Sequence, residues 1–219
     1  MITFEDIQNN ENARVYITQA DKALSALGYT EHSFPHVTKV ALTAGEILEK
    51  LNFDLHHIEL AKIAGFLHDI GNLINRNNHA LSSAQMAFRM LDHMDMPPED
   101  VALIVSAIGN HDEGTGYPVN SVAAALILAD KSDVRRSRVR NTDIPSFDIH
   151  DRVNYSVEKS ELKINYEKTA ITLYLQIDTA VSSIMDYFEI FLDRMILCRK
   201  AAESLNLKFS LVINGQTIM

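Results

Sequence analysis

Apolar positions change their spacing once along the chain, near residue 145. Before that point they recur at helical intervals. Val37, Val40, Ala41, Ala44, Ile47, Leu48 and Leu51 share one face of a 3.6-residue repeat. Leu60, Ala61, Ala64 and Leu67 do the same behind Asp54, a residue suited to capping a helix, with Gly71 as the expected stop. Leu81, Ala84, Phe88 and Leu91 mark another helix. Pro98 fits the first turn of the next, ahead of Val101, Ile104, Val105 and Ile108. Asn120 or Ser121 can cap a helix through Val122, Ala125, Leu126 and Ala129. An earlier helix is expected between Asn12 and Leu27, ended by Gly28.

After residue 145 the period drops to two. Val153, Tyr155 and Val157 alternate with polar residues, as do Leu162, Ile164 and Tyr166, then Ile171, Leu173, Leu175 and Ile177. This pattern predicts strands within 151–177, with turns near Lys159-Ser160 and Glu167-Lys168. A helix over 178–205 follows, with Val181, Ile184, Met185, Phe188, Leu192, Met195 and Ile196 on its apolar stripe, and then a strand over 208–213. The fold class read from this is α+β. A helical domain, residues 1–145, precedes a small antiparallel sheet with one long helix, residues 146–219. That helix covers its own sheet or packs on the first domain. Exposed sheet edges can pair with a second chain, which leaves a homodimer open.

Composition narrows the function. The 219 residues are 47% hydrophobic and 22% charged, as in globular proteins, and the net charge of -9 disfavours polynucleotide binding while permitting a small phosphorylated ligand. The one cysteine, Cys198, rules out an internal disulfide and, with no activating motif around it, reads as core filler. The first residues lack a signal-type apolar run, and no window is apolar enough to span a membrane. The expected location is cytoplasmic.

Four polar residues break the apolar stripes. His36 lies four before Val40, His68 four after Ala64, and Asp130 four after Leu126, while Asp69 follows His68. Residues four apart share a helix face, so these groups are expected to point into a common core. A buried carboxylate is costly unless paired or metal-bound, and two histidines with two aspartates satisfy one another best around a divalent cation. The mixed set does not choose among manganese, iron, magnesium, nickel and zinc.

The pattern His36…His68-Asp69…Asp130, with its flanks Gly65-Phe-Leu-His-Asp-Ile-Gly71 and Leu128-Ala-Asp-Lys131, resembles the HD superfamily of metal-dependent phosphohydrolases across roughly residues 15–140. His79 and His111 suggest a second metal. The run Asn110-His-Asp-Glu-Gly-Thr-Gly-Tyr-Pro118 resembles part of the HD-GYP branch, which hydrolyses cyclic dinucleotides. That branch has a histidine where Asn110 stands and a lysine where Asn72 stands. The spacing of the ligands and the Ala129-Asp130-Lys131 run also resemble a binuclear branch that splits diadenosine tetraphosphate.

The resemblance implies one or two ions. His36, His68 and Asp130 would hold the first, His79 and His111 the second, and Asp69 would bridge them. Asp69 and Lys131 would then serve catalysis. Asn72, Arg76 and Arg135 would contact a small phosphorylated substrate, Lys131 or an arginine from 135 to 140 would hold its phosphate, and Asp112 or Glu113 would carry a proton. Two other readings stand beside the hydrolase: a di-iron oxygenase on the same fold, and a non-catalytic signalling or binding module. His32 is expected to face solvent, as are His56, His57, His93 and His150.

Overall fold

The computed structural model describes residues 2–219. The first part is helical: α1 (Phe4–Asn9), α2 (Glu11–Ala26), α3 (Phe34–Lys50), α4 (Leu55–Leu67), α5 (His79–Asp92), α6 (Pro98–Gly109) and α7 (Ser121–Lys131). The boundaries have local causes. Asp54 and Asn120 accept from the backbone N–H of His57 and Ala123 and start α4 and α7. Pro35 stands in the first turn of α3 and Pro98 opens α6. Gly28, at φ 82°, closes α2, where Tyr29 N–H reaches back to the Leu24 carbonyl.

Two glycines act through their lack of a side chain instead. A Cβ on Gly65 would sit 2.7 Å from Ala41 Cα, so α4 lies backbone to backbone against α3. Gly71 does not stop α4 in a left-handed turn, as the sequence suggested. It sits in a 3-10 turn, Ile70–Leu73, where a Cβ would meet Ser83 N at 2.3 Å, and its N–H donates to Ser83 Oγ at 2.8 Å. Helix α5 therefore buries His79, Ser83 and Ala87, while Leu81 and Phe88, assigned to its apolar stripe, are exposed.

The second part holds α8 (Ile149–Ser156), β1 (Val157–Ile164), β2 (Ala170–Ile177), α9 (Ile184–Ser204), β3 (Lys208–Ile213) and β4 (Gln216–Thr217). Three expectations are corrected here. Val153 and Tyr155 belong to a helix: Asp148 caps it, and so short an alternation fits either period. Lys159 and Ser160 lie within β1, and the turn falls at Lys168, with φ 55°. The sheet, in order β1-β2-β3-β4, is mixed, since β2 and β3 run parallel. The chain between them is α9, and a helical crossover returns a strand parallel to its predecessor.

Ile171, Leu173, Leu175 and Ile177 of β2, with Phe209, Leu211 and Ile213 of β3, form the sheet's buried face. Helix α9 packs on α7 as well as on β3. Its buried stripe is Tyr187, Phe191, Met195, Cys198 and Ala202, rotated from the one expected; Met185 and Leu192 are exposed. One continuous hydrophobic cluster therefore runs from α1 through the sheet. Cys198 is within it, and burial pushes its thiol up to about 12.

Candidate metal centre

Helices α3, α4 and α7 pack on one another and bring His36, His68 and Asp130 together in the core. The chain turns after His68 and places Asp69 beside them. His79 opens α5 and His111 follows α6. All four imidazoles are buried.

Each imidazole is held through Nδ1. His68 donates to the Gly65 carbonyl at 2.8 Å, His79 to Arg76 at 3.1 Å, and His111 to Ile108 at 2.6 Å, each three residues back. His36 donates instead to a carboxylate, Asp133 Oδ2, at 2.8 Å. These oxygens only accept, so each Nδ1 carries the hydrogen and each Nε2 is left as the ligating nitrogen.

The Nε2 atoms converge. That of His36 is 3.6 Å from Asp69 Oδ2 and 3.4 Å from Asp130 Oδ1. That of His68 is 3.2 Å and 3.6 Å from the same two atoms. Both Nε2 atoms are fully buried without a hydrogen bond. His79 Nε2 lies 3.4 Å from the other oxygen of Asp69, Oδ1, and 3.2 Å from His111 Nε2. Two ring nitrogens with their hydrogens on the far side face each other there. A cation between such groups removes the repulsion of the lone pairs and satisfies the orphaned nitrogens. The residues thus fit a divalent metal on the structure's own terms. Two donor sets suit an ion, His36-His68-Asp130 and His68-Asp69-His111, and Asp69 turns one oxygen toward each pair of histidines.

The charges agree with this arrangement. Burial would lower the His68 imidazolium, but Asp69 and Asp130 outweigh it and raise its pKa to about 10. Burial likewise opposes His36, which is raised by Asp130, Asp133 and Asp69. The carboxyls of Asp69 and Asp130 are held well below the usual range despite burial, Asp69 by His68 and His36 and Asp130 by Lys131 and the same histidines. The carboxylates demand positive charge at this point, from protons or from a metal. On the other side, burial and the neighbouring cations push His111 well below its ordinary value, so it is neutral and ready to ligate.

Residues 34–135 match the family model of the HD domain. The segment is an HD domain. Over 215 residues the chain is 25% identical to uncharacterized protein MJ1020 of Methanocaldococcus jannaschii, which covers 85% of this chain and 79% of that protein. A solved structure described as a predicted HD superfamily hydrolase, from an uncultured Thermotogales bacterium, is 26% identical, covers 57% of this chain and 67% of its own, and superposes with a TM-score of 0.46.

Around the HD cluster, the residues foreseen as auxiliaries divide. Asn72 Nδ2 donates to Asp69 Oδ1 at 2.9 Å and so orients the carboxylate, and Arg76 donates to Asn72 Oδ1 at 3.2 Å. Lys131 Nζ lies 2.8 Å from Asp130 Oδ2 and 2.7 Å from Glu113 Oε2. Arg135 is elsewhere: it reaches Asp133 at 2.9 Å and Glu31 at 3.2 Å and lies outside the cavity over the cluster. Lys131 and Arg194 hold Glu113 as a carboxylate, far below its ordinary value in spite of burial. Asn110 turns away, donating to the Ser106 carbonyl. His32 faces the cavity rather than open solvent, with its ring centroid 5.4 Å from that of His36. His150 also lines the outer cavity.

Two side chains beside the cluster, Asp133 and Arg194, had no place in the sequence reading, and Arg138 entered it only as one of the arginines from 135 to 140. Asp133 is wholly buried behind His36 and is held by Lys39, Arg135 and Arg138. It stands just past the end of α7, in a turn whose Asp133 N–H returns to the Asp130 carbonyl. Arg138 is buried, bonded to the carbonyls of Glu31 and Asp133, and lines the cavity. Arg194 comes from α9, and the misplaced stripe on that helix concealed it.

Among the described residues, no helix is long and apolar enough to cross a membrane.

Proposed function

We propose that the chain is a metal-dependent phosphohydrolase acting on a small phosphorylated metabolite. The observation that carries this is the convergence of four Nδ1-anchored imidazoles on two carboxylates at the floor of a cavity of about 330 Å3 whose walls carry Arg76, Arg138 and Arg194. His36, His68 and Asp130 would hold one ion and His79 and His111 a second, with Asp69 offering an oxygen to each. When bound, such ions lower the pKa of a water and neutralise phosphate oxygens.

The remaining work falls to the chain. Asn72 and Lys131 fix the two carboxylates: Lys131 binds Asp130 Oδ2 and leaves Oδ1 for the cluster, while Asn72 shares Asp69 Oδ1 with the His79 side and leaves Oδ2 to His36 and His68. Asp133 keeps the His36 ring in one tautomer. Arg76, Arg138 and Arg194 line the cavity, together with Asp148 and Asp151, and guanidinium groups suit phosphate because their donors are forked. An acidic chain with such a cavity favours a small ligand over a polynucleotide.

The test is hydrolysis of a panel of phosphomonoesters, nucleotides and dinucleotides by protein loaded with manganese, iron or magnesium, beside metal counts per chain. Phosphate release that disappears on chelation is the expected result. Metal-loaded protein that releases phosphate from none of them overturns the reading, and oxygen uptake by an iron-loaded form would put a di-iron oxygenase in its place.

A further inference from the structure

The helix α9 lies outside the matched HD segment, yet it sends a guanidinium into the HD cavity. Arg194 is fixed on two sides. Its Nε donates to Glu113 Oε1 at 2.9 Å, and its carbon centre sits 4.3 Å over the Phe191 ring. The other oxygen of Glu113 takes Lys131, which in turn binds Asp130. A chain of ion pairs therefore links Arg194 to a metal-ligating carboxylate. With Nε occupied, the two terminal nitrogens of Arg194 are the donors left for a ligand. Arg138 lines the same cavity and is likewise pinned, through Nε and Nη1, to main-chain carbonyls. Carboxylates stand beside both, Glu113 at Arg194 and Asp133 3.7 Å from Arg138, so the two guanidiniums are held in position with their remaining forked donors available to an anion.

We propose that Arg194, beside Arg138, binds the substrate's phosphate, so that the segment after the HD domain completes the site with a tetrahedral oxyanion clamp. The proposal rests on the phosphohydrolase reading. It differs in assigning a substrate contact to α9, whose remaining role would be to cover the sheet. Arginine suits the task because its fork can hold two phosphate oxygens at once, which a lysine ammonium cannot do in the same geometry.

The experiment is calorimetric titration of inorganic phosphate into manganese-loaded full-length protein, for the wild type, Arg194→Ala and Arg194→Lys. Metal content and thermal melting are measured on each as checks of folding. Arg194→Ala is expected to weaken phosphate binding by about 10-fold or more with metal content unchanged, and Arg194→Lys to restore only part of it. Should Arg194→Ala prove misfolded, Arg194→Lys alone decides, because it keeps the charge beside Glu113 and removes the fork. Wild-type affinity in either folded variant overturns the clamp and leaves the phosphohydrolase reading intact. A wild type that neither binds phosphate nor hydrolyses any phosphoester overturns both.

Discussion

The two halves of the metal cluster are built differently. His36 and Asp130 from α3 and α7 meet His68, at the end of α4, in the core, and His36 leans on a buried carboxylate. That carboxylate, Asp133, is itself surrounded by Lys39, Arg135 and Arg138. His79 and His111 are held only by carbonyls three residues back in their own turns, and both line the cavity. The first half is fixed by the whole bundle and by buried charge. The second is fixed locally and faces the ligand. The difference predicts a tightly held ion in the core and a more exchangeable one at the cavity wall.

The largest expected effect comes from removing the residue that serves both halves. Asp69 turns one oxygen to each half, so Asp69→Ala should abolish turnover and empty both sites in folded protein, a loss beyond the ~10–100-fold typical of outer-shell partners. Metal counts and phosphate release check it together. Asp133→Asn touches the first half alone. It should weaken the core ion by about 10–100-fold while every ligand remains, which a chelator competition would measure; equal weakening of both ions would erase the contrast. His111→Ala should release the wall ion and spare the core ion, giving a lower metal count with less loss of thermal stability than Asp69→Ala.

The smallest effect is in protons. Metal-free His68 is raised from 6.5 to about 10, so it is protonated at pH 7 and the core ion must displace that proton, whereas the lowered His111 has none to lose. Core-site binding should therefore release protons, seen as a buffer-dependent heat, and wall-site binding should release few. By the same linkage, the metal-free protein keeps the His68 contribution to stability in full below about pH 6.5 and loses it as pH rises through about 10. Melting temperatures of the chelated protein that stay flat over that window would contradict the assignment.

The sequence revealed more of the core half than of the surroundings. His36, His68 and Asp130 interrupt apolar stripes, and that conflict between burial and polarity is visible in one dimension. The helices of the first part were legible for the same reason. Asp133 is not legible in the same way, because it stands past the end of α7 and a lone aspartate there reads as a turn residue until its partners are placed. The second part was harder. Val153 and Tyr155 form too short a pattern to separate helix from strand, and alternation alone does not say that the crossover through α9 makes β3 parallel to β2. On α9 itself the apolar residues surround so much of the helix that either of two stripes fits, and the wrong one hid Arg194. A side chain delivered across the fold leaves no local mark of its destination.

The contact at Gly65 sets the dimensions of this centre. Because α4 rests directly on the backbone of α3, the gap between the His36 and His68 rings, 5.2 Å between centroids, is governed by the thickness of two main chains. A single methyl at that position would act as a spacer, opening the cluster without altering any residue that touches it. The radius of an ion held there would in this sense be gauged by a residue that touches none of the candidate ligands, and small changes at the helix contact would be a route to retune the cluster from one divalent metal to another.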